Sequence, residues 1–477
     1  AQDRLSLFMQ QVQLGKSLAL RSATASHLDS EQILFGWDKI FNAKLSCISE
    51  TLLQIESKNR QSFGPRSLAL PWEDRFSGVN DYFGPQNISR LPFVHDATSQ
   101  SRRLRPISIV GASAYLKSNT NSGLPFLTRK GNISQILLND YDYYLDRKDP
   151  CVLFTRTQES LKTRNVWGYP VADTLNEMRY YRPLLEYQRK QAWRSAIISP
   201  QAVDNSITDL ILNNSGTLVS LDFSSFDASV KTGLQSVCFK HICNLFQSDC
   251  QNELEYIQHR FNTIGLVTPS GLLSGSHGVP SGSTFTNEVD SIAQYICAKD
   301  FGVRDHEMQI QGDDGVYAVK DVEKFLDHFD QFGLKINESK SLISNKEVIY
   351  LQNLHSKDYI RNGILAGVYS TYRALGRIIF PERYDNYNDF GLSGADFNSI
   401  RAISILENCS HHPLFEDFVE YLCSIDKFAL GFSQKGLVDY VKRMSAIDGT
   451  DGIFKYRLGM SVSGIRNFNT FKIISSL

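Results

Sequence analysis

Residues 311–315 read QGDDG, two adjacent carboxylates between the runs MQI and VYAV. A second acidic stretch, SLDFSSFDASV, carries Asp222 and, five residues on, Asp227. If its strand lies beside the QGDDG hairpin, Asp222 and Asp313 converge at one sheet edge, where unpaired carboxylates repel. Two Mg²⁺ ions roughly 3.5–4 Å apart would remove that repulsion and take such hard oxygen ligands; paired ions of this kind drive in-line phosphoryl transfer. A third stretch, GVPSGSTFTNEVDS (278–291), sets Pro280, Ser281 and Gly282 in a loop just before a helix, with Ser281, Thr286 and Asn287 offering hydroxyl and amide groups at its start. Each stretch alone has an ordinary structural explanation: a solvated turn, helix-capping chemistry, a capped helix start. Together, in this order and spacing, they are specific.

The elements that must position these groups follow from periodicity and turn chemistry. GTLVSLDF (216–223) reads as a buried strand, and FTNEVDSIAQYICAKDFG as a helix with Phe285, Val289, Ile292 and Ile296 at helical spacing. HEMQIQGDDGVYAVK reads as strand, tight turn, strand, with Asp-Gly supplying the positive-φ position. DVEKFLDHFDQFG is an amphipathic helix with Gly333 as C-cap. Strand, helix, hairpin, helix, strand is the makeup of an α+β sheet with helices on one face. Residues 1–60 read as mostly helical; 61–130 are richer in Gly, Pro and Asn.

Composition narrows the function classes. The chain has 477 residues, ample for two or three domains, and its 42% apolar and 21% charged content is that of ordinary globular proteins. A net charge of −1 excludes a globally basic surface, so a nucleic-acid site must be a local one. Residues 156–194 supply such a patch, eight basic residues against four acidic. Trp167, Tyr169, Tyr180, Tyr181 and Trp193 lie among them and read mainly as packing residues, with stacking on bases the alternative. Eight scattered cysteines form no CxxC pair, which points to reduced thiols and no zinc ribbon. His241, His277 and His306 show no metal-ligand spacing. The first residues lack the apolar core of a signal peptide, the missing initiator Met suggests a trimmed chain, and no stretch reaches the roughly 18 apolar residues that span a bilayer.

DFSSFD, SGSTFTNEVD and QGDDG resemble motifs A, B and C of viral RNA-dependent RNA polymerases, in wording most like the double-stranded RNA viruses of the picobirnavirus and partitivirus group, picobirnavirus in particular. The resemblance covers roughly residues 120–355. It implies that Asp222 and Asp313 are the main ligands of two Mg²⁺ or Mn²⁺ ions, with Asp314 a supporting acid, and that Asp227 helps recognise the ribose of the incoming nucleotide. Ser281 and Thr286 match the motif B Ser and Thr, near the template backbone and that ribose, with Gly282 between them. Many positive-strand RNA virus polymerases carry Asn four residues after this Thr; here Asp290 stands there, and Asn287 directly follows Thr286. Either completes the sugar network, with Asp290 preferred. LKTRNVWGYP resembles motif F, in which Lys162 and Arg164, joined by Arg156, would bind the triphosphate. NSGLPF resembles motif G, where Ser122 and Gly123 would touch the template. LKINESKS resembles motif D, where Lys340, or its rival Lys335, would protonate the departing pyrophosphate; VIYLQNL resembles motif E.

The implied architecture is α+β, a right-handed polymerase fold with an RRM-like antiparallel palm sheet and a closed fingers–thumb arrangement. Residues 1–215 would form an N-terminal extension and fingers, 216–234 and 276–355 the palm, 235–275 a fingers insertion, and 356–477 the thumb and C-terminal tail. The implied partners are RNA template and product, ribonucleoside triphosphates and a viral capsid protein, with no membrane, the chain acting as a monomer in the particle interior or host cytoplasm. Two other readings share part of this pattern. A reverse transcriptase usually has an aromatic residue and one other before the paired Asp, where this chain has Gln311 and Gly312. A non-catalytic RNA-binding or capsid-associated protein with a polymerase fold would have no reason to retain the clustered acids.

Overall fold

The computed structural model describes residues 2–93, 102–448 and 464–477. It divides into two compact units, 1–14, 71–155 and 165–366 in the first, 15–70, 156–164 and 367–477 in the second.

The first unit is built on a four-stranded antiparallel sheet. Its strands are β1 (Thr217–Leu221), β2 (Met308–Gln311), β3 (Asp314–Val319) and β4 (Leu342–Ser344), in the spatial order β2-β3-β1-β4. β1 is central, and four of its five residues are fully buried, because side chains on both of its faces are covered. Val219 and Leu221 join Tyr317 and Val319 in one core, against α1 (Thr286–Phe301) and α2 (Val322–Asp330). Leu218, Val316 and Ala318 point the other way, into a second core with Val203, Ile207, Leu210 and Ile211 of the helix Pro200–Leu212. The sheet thus carries helices on both faces rather than one. The Pro200–Leu212 helix precedes β1, outside the strand–helix–hairpin run from which the one-sided layer was read. β5 (Glu347–Tyr350) and β6 (Asn353–Ser356) form an adjoining hairpin whose two turn residues, Leu351 and Gln352, both have positive φ, as a type I′ turn requires.

α1 buries every residue from Glu288 to Ala298. A helix apolar on one stripe only could not do this; α1 is a core helix whose polar residues must find partners inside the protein. Glu288 finds Arg194, with paired bonds of 2.9 and 2.7 Å and both side chains fully buried. The neighbouring Trp193 stacks on Tyr295 of α1 at 4.1 Å between ring centroids. Of the other aromatics near this segment, Trp167, Tyr169 and Tyr180 are buried and Tyr181 packs against the same core.

The second unit is helical. Ile33, Trp37 and Phe41 of the helix Ser30–Ala43 pack with Ile400, Ile403, Phe418 and Leu422 from the helices Gly394–Leu406 and Phe415–Ile425. The tail closes on the same core through Phe468, Ile473 and Ile474, and Glu407 accepts from the Thr470 hydroxyl at 2.8 Å. Residues 15–70, read from sequence as part of an N-terminal block, therefore share a core with 367–477; apolar spacing identifies the helices but not their partners. No helix among the described residues is long and apolar enough to cross a membrane, and all eight cysteines are free thiols.

Removing one partner from the Arg194–Glu288 pair strands a buried charge. Glu288→Ala is expected to lose about 3–5 kcal/mol of stability, read by denaturant unfolding. A loss below about 1 kcal/mol would mean that the pair behaves like a solvated surface contact.

Candidate active site

β1 and β3 align Thr217 with Val319 through Leu221 with Gly315. One further step sets Asp222 across from Asp314, and the alternation of side chains along a strand puts both on the Leu218–Val316 face. The hairpin joins Gln311 to Asp314 through Gly312 and Asp313. Gly312 has φ +65°, so the positive-φ residue of this turn is Gly312 and not Gly315, which lies inside β3. A glycine is required at 312 on a second count: a Cβ there would sit 2.8 Å from Asn287 Oδ1. Asp313 is exposed in the turn.

α1 holds this turn from beneath. The Gly312 N–H donates to Ser291 Oγ at 2.8 Å, and Gln294 Nε2 donates to the Gly312 carbonyl at 2.8 Å. Tyr317 in turn donates to Gln294 Oε1 at 2.7 Å. At the far side, the Leu351 N–H donates to Asp314 Oδ2 at 2.9 Å. Asp222 is fixed through its backbone, donating to Ser341 Oγ at 3.1 Å and accepting from the Asn337 N–H at 2.7 Å. Burial, with the charges of Asp313 and Asp222, pushes the Asp314 carboxyl up to about 7 against the opposing Leu351 bond.

Oxygen-only donors so placed that the charges of Asp313 and Asp222 raise the Asp314 carboxyl fit a hard divalent cation. Among the described residues no three or more His, Cys, Asp or Glu side chains form a ready-made metal cage. Magnesium needs none, since one or two carboxylates suffice when water and substrate phosphates complete its shell.

Beside the carboxylates lies a second acidic pair. Asp227 sits in the short helix Phe226–Ser229, entered through Ser225 at φ 49°, and its carbonyl accepts from the Val279 N–H at 2.8 Å. Ser281 Oγ donates to Asp227 Oδ2. Asp290 of α1 hydrogen-bonds Asp227 as well; burial first, then Asp227 and Asp313, raise its carboxyl well above the usual range. Two carboxyl groups that share a hydrogen bond cannot both be ionised, and burial favours the proton on Asp290. Asp290 Oδ1 is buried without a hydrogen-bond partner.

The motif B loop is held closely. Gly282 lies so near the Trp167 carbonyl that any Cβ would overlap it. The Thr286 hydroxyl donates to the Pro280 carbonyl at 2.7 Å. Asn287 faces the Gly312 turn. Glu177, on the helix Val171–Gln188, accepts from Ser283 Oγ at 2.5 Å and from the Thr284 N–H at 3.1 Å. Lys335 and Lys340 are both exposed, on the stretch that carries Ser341; the Lys335 carbonyl accepts from the Ser224 N–H at 2.9 Å.

The remaining expected site residues have other partners. Ser122 is fully buried, and its hydroxyl bonds the Thr128 carbonyl at 2.9 Å, so it organises its own loop. Gly123, at φ +64°, packs on the Tyr169 carbonyl. Arg156, Lys162 and Arg164 belong to the second unit, and the carboxylates to the first. Arg156 pairs with Glu382 there at 3.7 Å. Sequence reasoning passed over Ser291, Gln294, Glu288 and Glu177. The available signal was polar residues at 287, 291 and 294 interrupting an otherwise apolar helix.

The family model described as viral RNA-dependent RNA polymerase matches residues 97–366. A potential RNA-dependent RNA polymerase of human picobirnavirus (strain Human/Thailand/Hy005102/-) is 30% identical over 455 residues, covering 87% of this chain and 84% of the relative. The RNA-directed RNA polymerase of Cryptosporidium parvum virus 1 (strain KSU-1) is 22% identical over 261 residues, 47% of this chain and 49% of the relative. Among solved structures, the crystal structure of the RNA-dependent RNA polymerase of a human picobirnavirus superposes with a TM-score of 0.82 at 25% identity, covering 99% of this chain and 96% of that one.

Burial pushes the Glu177 carboxyl from its ordinary 4.5 up to about 8, the bonds from Ser283 and Thr284 opposing. Between those values the folded chain keeps a proton that the unfolded chain has lost, so stability falls as pH rises through the window. Glu177→Gln does not titrate. Its Tm relative to the unsubstituted protein is expected to climb steadily from about pH 4.5 to about pH 8; a pH-independent difference would show that Glu177 folds in its ionised form.

Proposed function

The chain belongs to the viral RNA-dependent RNA polymerases, of the kind found in picobirnavirus-like double-stranded RNA viruses, and on that premise we propose how its residues divide the work of template-directed ribonucleotide addition. The carrying observation is the Asp222–Asp313–Asp314 cluster at the β1–β3 edge, in which the charges of Asp313 and Asp222 raise the Asp314 carboxyl. Catalysis in this family depends on metal; the proposal assigns Asp222 and Asp313 as ligands of two Mg²⁺ or Mn²⁺ ions, with Asp314 in support. Such ions, when bound, activate the attacking 3′-hydroxyl and neutralise charge on the triphosphate.

Asp227, held by Ser281 and Asp290, accepts from the ribose of the incoming nucleotide. Asp290, protonated, donates to Asp227 as an amide would, which favours it over Asn287 in the sugar network. A 2′-hydroxyl is donor and acceptor at once, so a fixed polar site of this kind separates ribose from deoxyribose. Thr286 and Gly282 shape the loop under the nucleotide. Arg156, Lys162 and Arg164 meet the triphosphate, Ser122 and Gly123 flank the template path, and Lys340 or Lys335 protonates pyrophosphate; these assignments rest on the motif resemblance. So do a palm at 216–234 and 276–355 between fingers and thumb, a capsid protein as partner, a monomeric working state, and a place in the particle or host cytoplasm.

Labelled ribonucleotide incorporation on a short single-stranded RNA with Mg²⁺ or Mn²⁺ tests the assignment. Asp222→Ala and Asp313→Ala are each expected to cut synthesis by about 100-fold or more with an unchanged melting curve, and a chelator should do the same. Robust product from either variant would remove the ligand assignment. Asp227→Ala and Asp290→Ala should weaken discrimination against dNTPs; an unaltered ribose preference in both would remove their role.

A further inference from the structure

The Ser281 hydroxyl that bonds Asp227 is met by a residue from a distant part of the chain. Tyr82 lies in the turn Asp81–Phe83, 199 positions before Ser281, and its hydroxyl is 3.0 Å from Ser281 Oγ. The direction of this bond follows from proton count. Ser281 has a single hydroxyl proton, and it goes to Asp227 Oδ2. Tyr82 must therefore donate to Ser281, giving a chain that runs Tyr82 to Ser281 to Asp227, with Asp290 closing on Asp227 from α1. Successive donors polarise one another in the same sense, so the phenol strengthens the serine as a donor.

Tyr82 is held where this bond needs it. Its carbonyl accepts from the Gly278 N–H at 2.8 Å and from Lys231 Nζ at 2.8 Å, and Lys231 also reaches the Asp81 carbonyl at 2.6 Å. Its ring packs on Trp167 at 5.6 Å between centroids, and the Trp167 N–H donates to the Ser281 carbonyl at 3.3 Å. The residues that anchor Tyr82 come from the ends of the two segments that bear Asp227 and Ser281. A serine hydroxyl otherwise rotates freely to whichever acceptor is nearest. With Tyr82 in place its proton is aimed at one oxygen of Asp227, which leaves the remaining acceptor capacity of that carboxylate for a ribose hydroxyl. A site built to bond a substrate hydroxyl rejects the analogue without it because its own polar groups are then left unpaired, and that penalty requires the site groups to be fixed.

We propose that Tyr82 is a positioning residue for ribose selection, acting through Ser281 on Asp227. The inference rests on the reading of Asp227 as the ribose acceptor. Its test measures kcat and KM for a ribonucleotide and the matching 2′-deoxynucleotide on a primed RNA template, with Tyr82→Phe, Ser281→Ala, the Tyr82→Phe/Ser281→Ala double variant and Asp227→Ala. Phenylalanine keeps the ring on Trp167, and melting curves report that packing. The ribose-to-deoxyribose ratio of kcat/KM is expected to fall about 3- to 10-fold in Tyr82→Phe, and Tyr82→Phe should add nothing in the Ser281→Ala background. If Tyr82→Phe slows both nucleotides equally while Asp227→Ala collapses the ratio, Tyr82 is structural and this inference alone fails. An additive effect in the double variant would likewise overturn the route through Ser281. If Asp227→Ala preserves the ratio, the reading of Asp227 fails first and the inference with it.

Discussion

A helix with eleven consecutive buried residues has no solvent to receive its polar side chains, and the rest of the site depends on how α1 meets that constraint. Glu288, Asp290, Ser291 and Gln294 are each buried on it, and a buried polar group without a partner costs about 1–3 kcal/mol. They are answered from three separate segments. Glu288 holds the segment bearing Arg194, Ser291 and Gln294 hold both backbone groups of Gly312, and Asp290 reaches Asp227. The demand for satisfaction inside one helix thereby sets the position of the acidic turn and of Asp227 together. Catalysis by preorganised charge needs that rigidity, because groups already in place do not have to reorganise as the reaction proceeds.

Electrostatics then divides the acids by environment. Asp290 and Asp227 share a hydrogen bond, and burial assigns the proton to Asp290. Asp314, half-buried behind the turn, is pushed up by burial and by Asp313 and Asp222, whereas Asp313 stands exposed at the tip. Solvation and neighbours alone thus separate carboxyl groups of one residue type, Asp290 and Asp314 pushed toward their protonated forms while Asp313 faces solvent. The second sheet face contributes as well. The β5–β6 hairpin, packed on the Leu218–Val316 side, supplies the Leu351 N–H that steadies Asp314.

Much of this was legible in the residues. The strand ending at Asp222, the helix from Thr286 and the QGDDG hairpin follow from apolar periodicity and turn chemistry, and the order of the three acidic and polar stretches pointed to two-metal phosphoryl transfer. Local rules carry that information because periodicity and turn preference act over a few neighbouring residues. Even there the turn glycine was misread. Asp-Gly is the commoner hairpin pair, but the strand register set Gly312 in the positive-φ position and drew Gly315 into β3.

The sequence by itself determined which residues could do chemistry and which local elements carry them, since both depend on side-chain type and short spacing. Only the tertiary structure decided what those residues touch. Ser122 turned inward to Thr128, residues 15–70 joined the core of 367–477, and Tyr82 reached Ser281 across most of the unit. Protonation of Asp290 and Glu177 belongs to the same class, because burial and the neighbour that shares a hydrogen bond are properties of packing. Contacts between residues far apart in the chain leave no period or spacing in the sequence, so the physics that fixes them appears only when the chain has closed on itself.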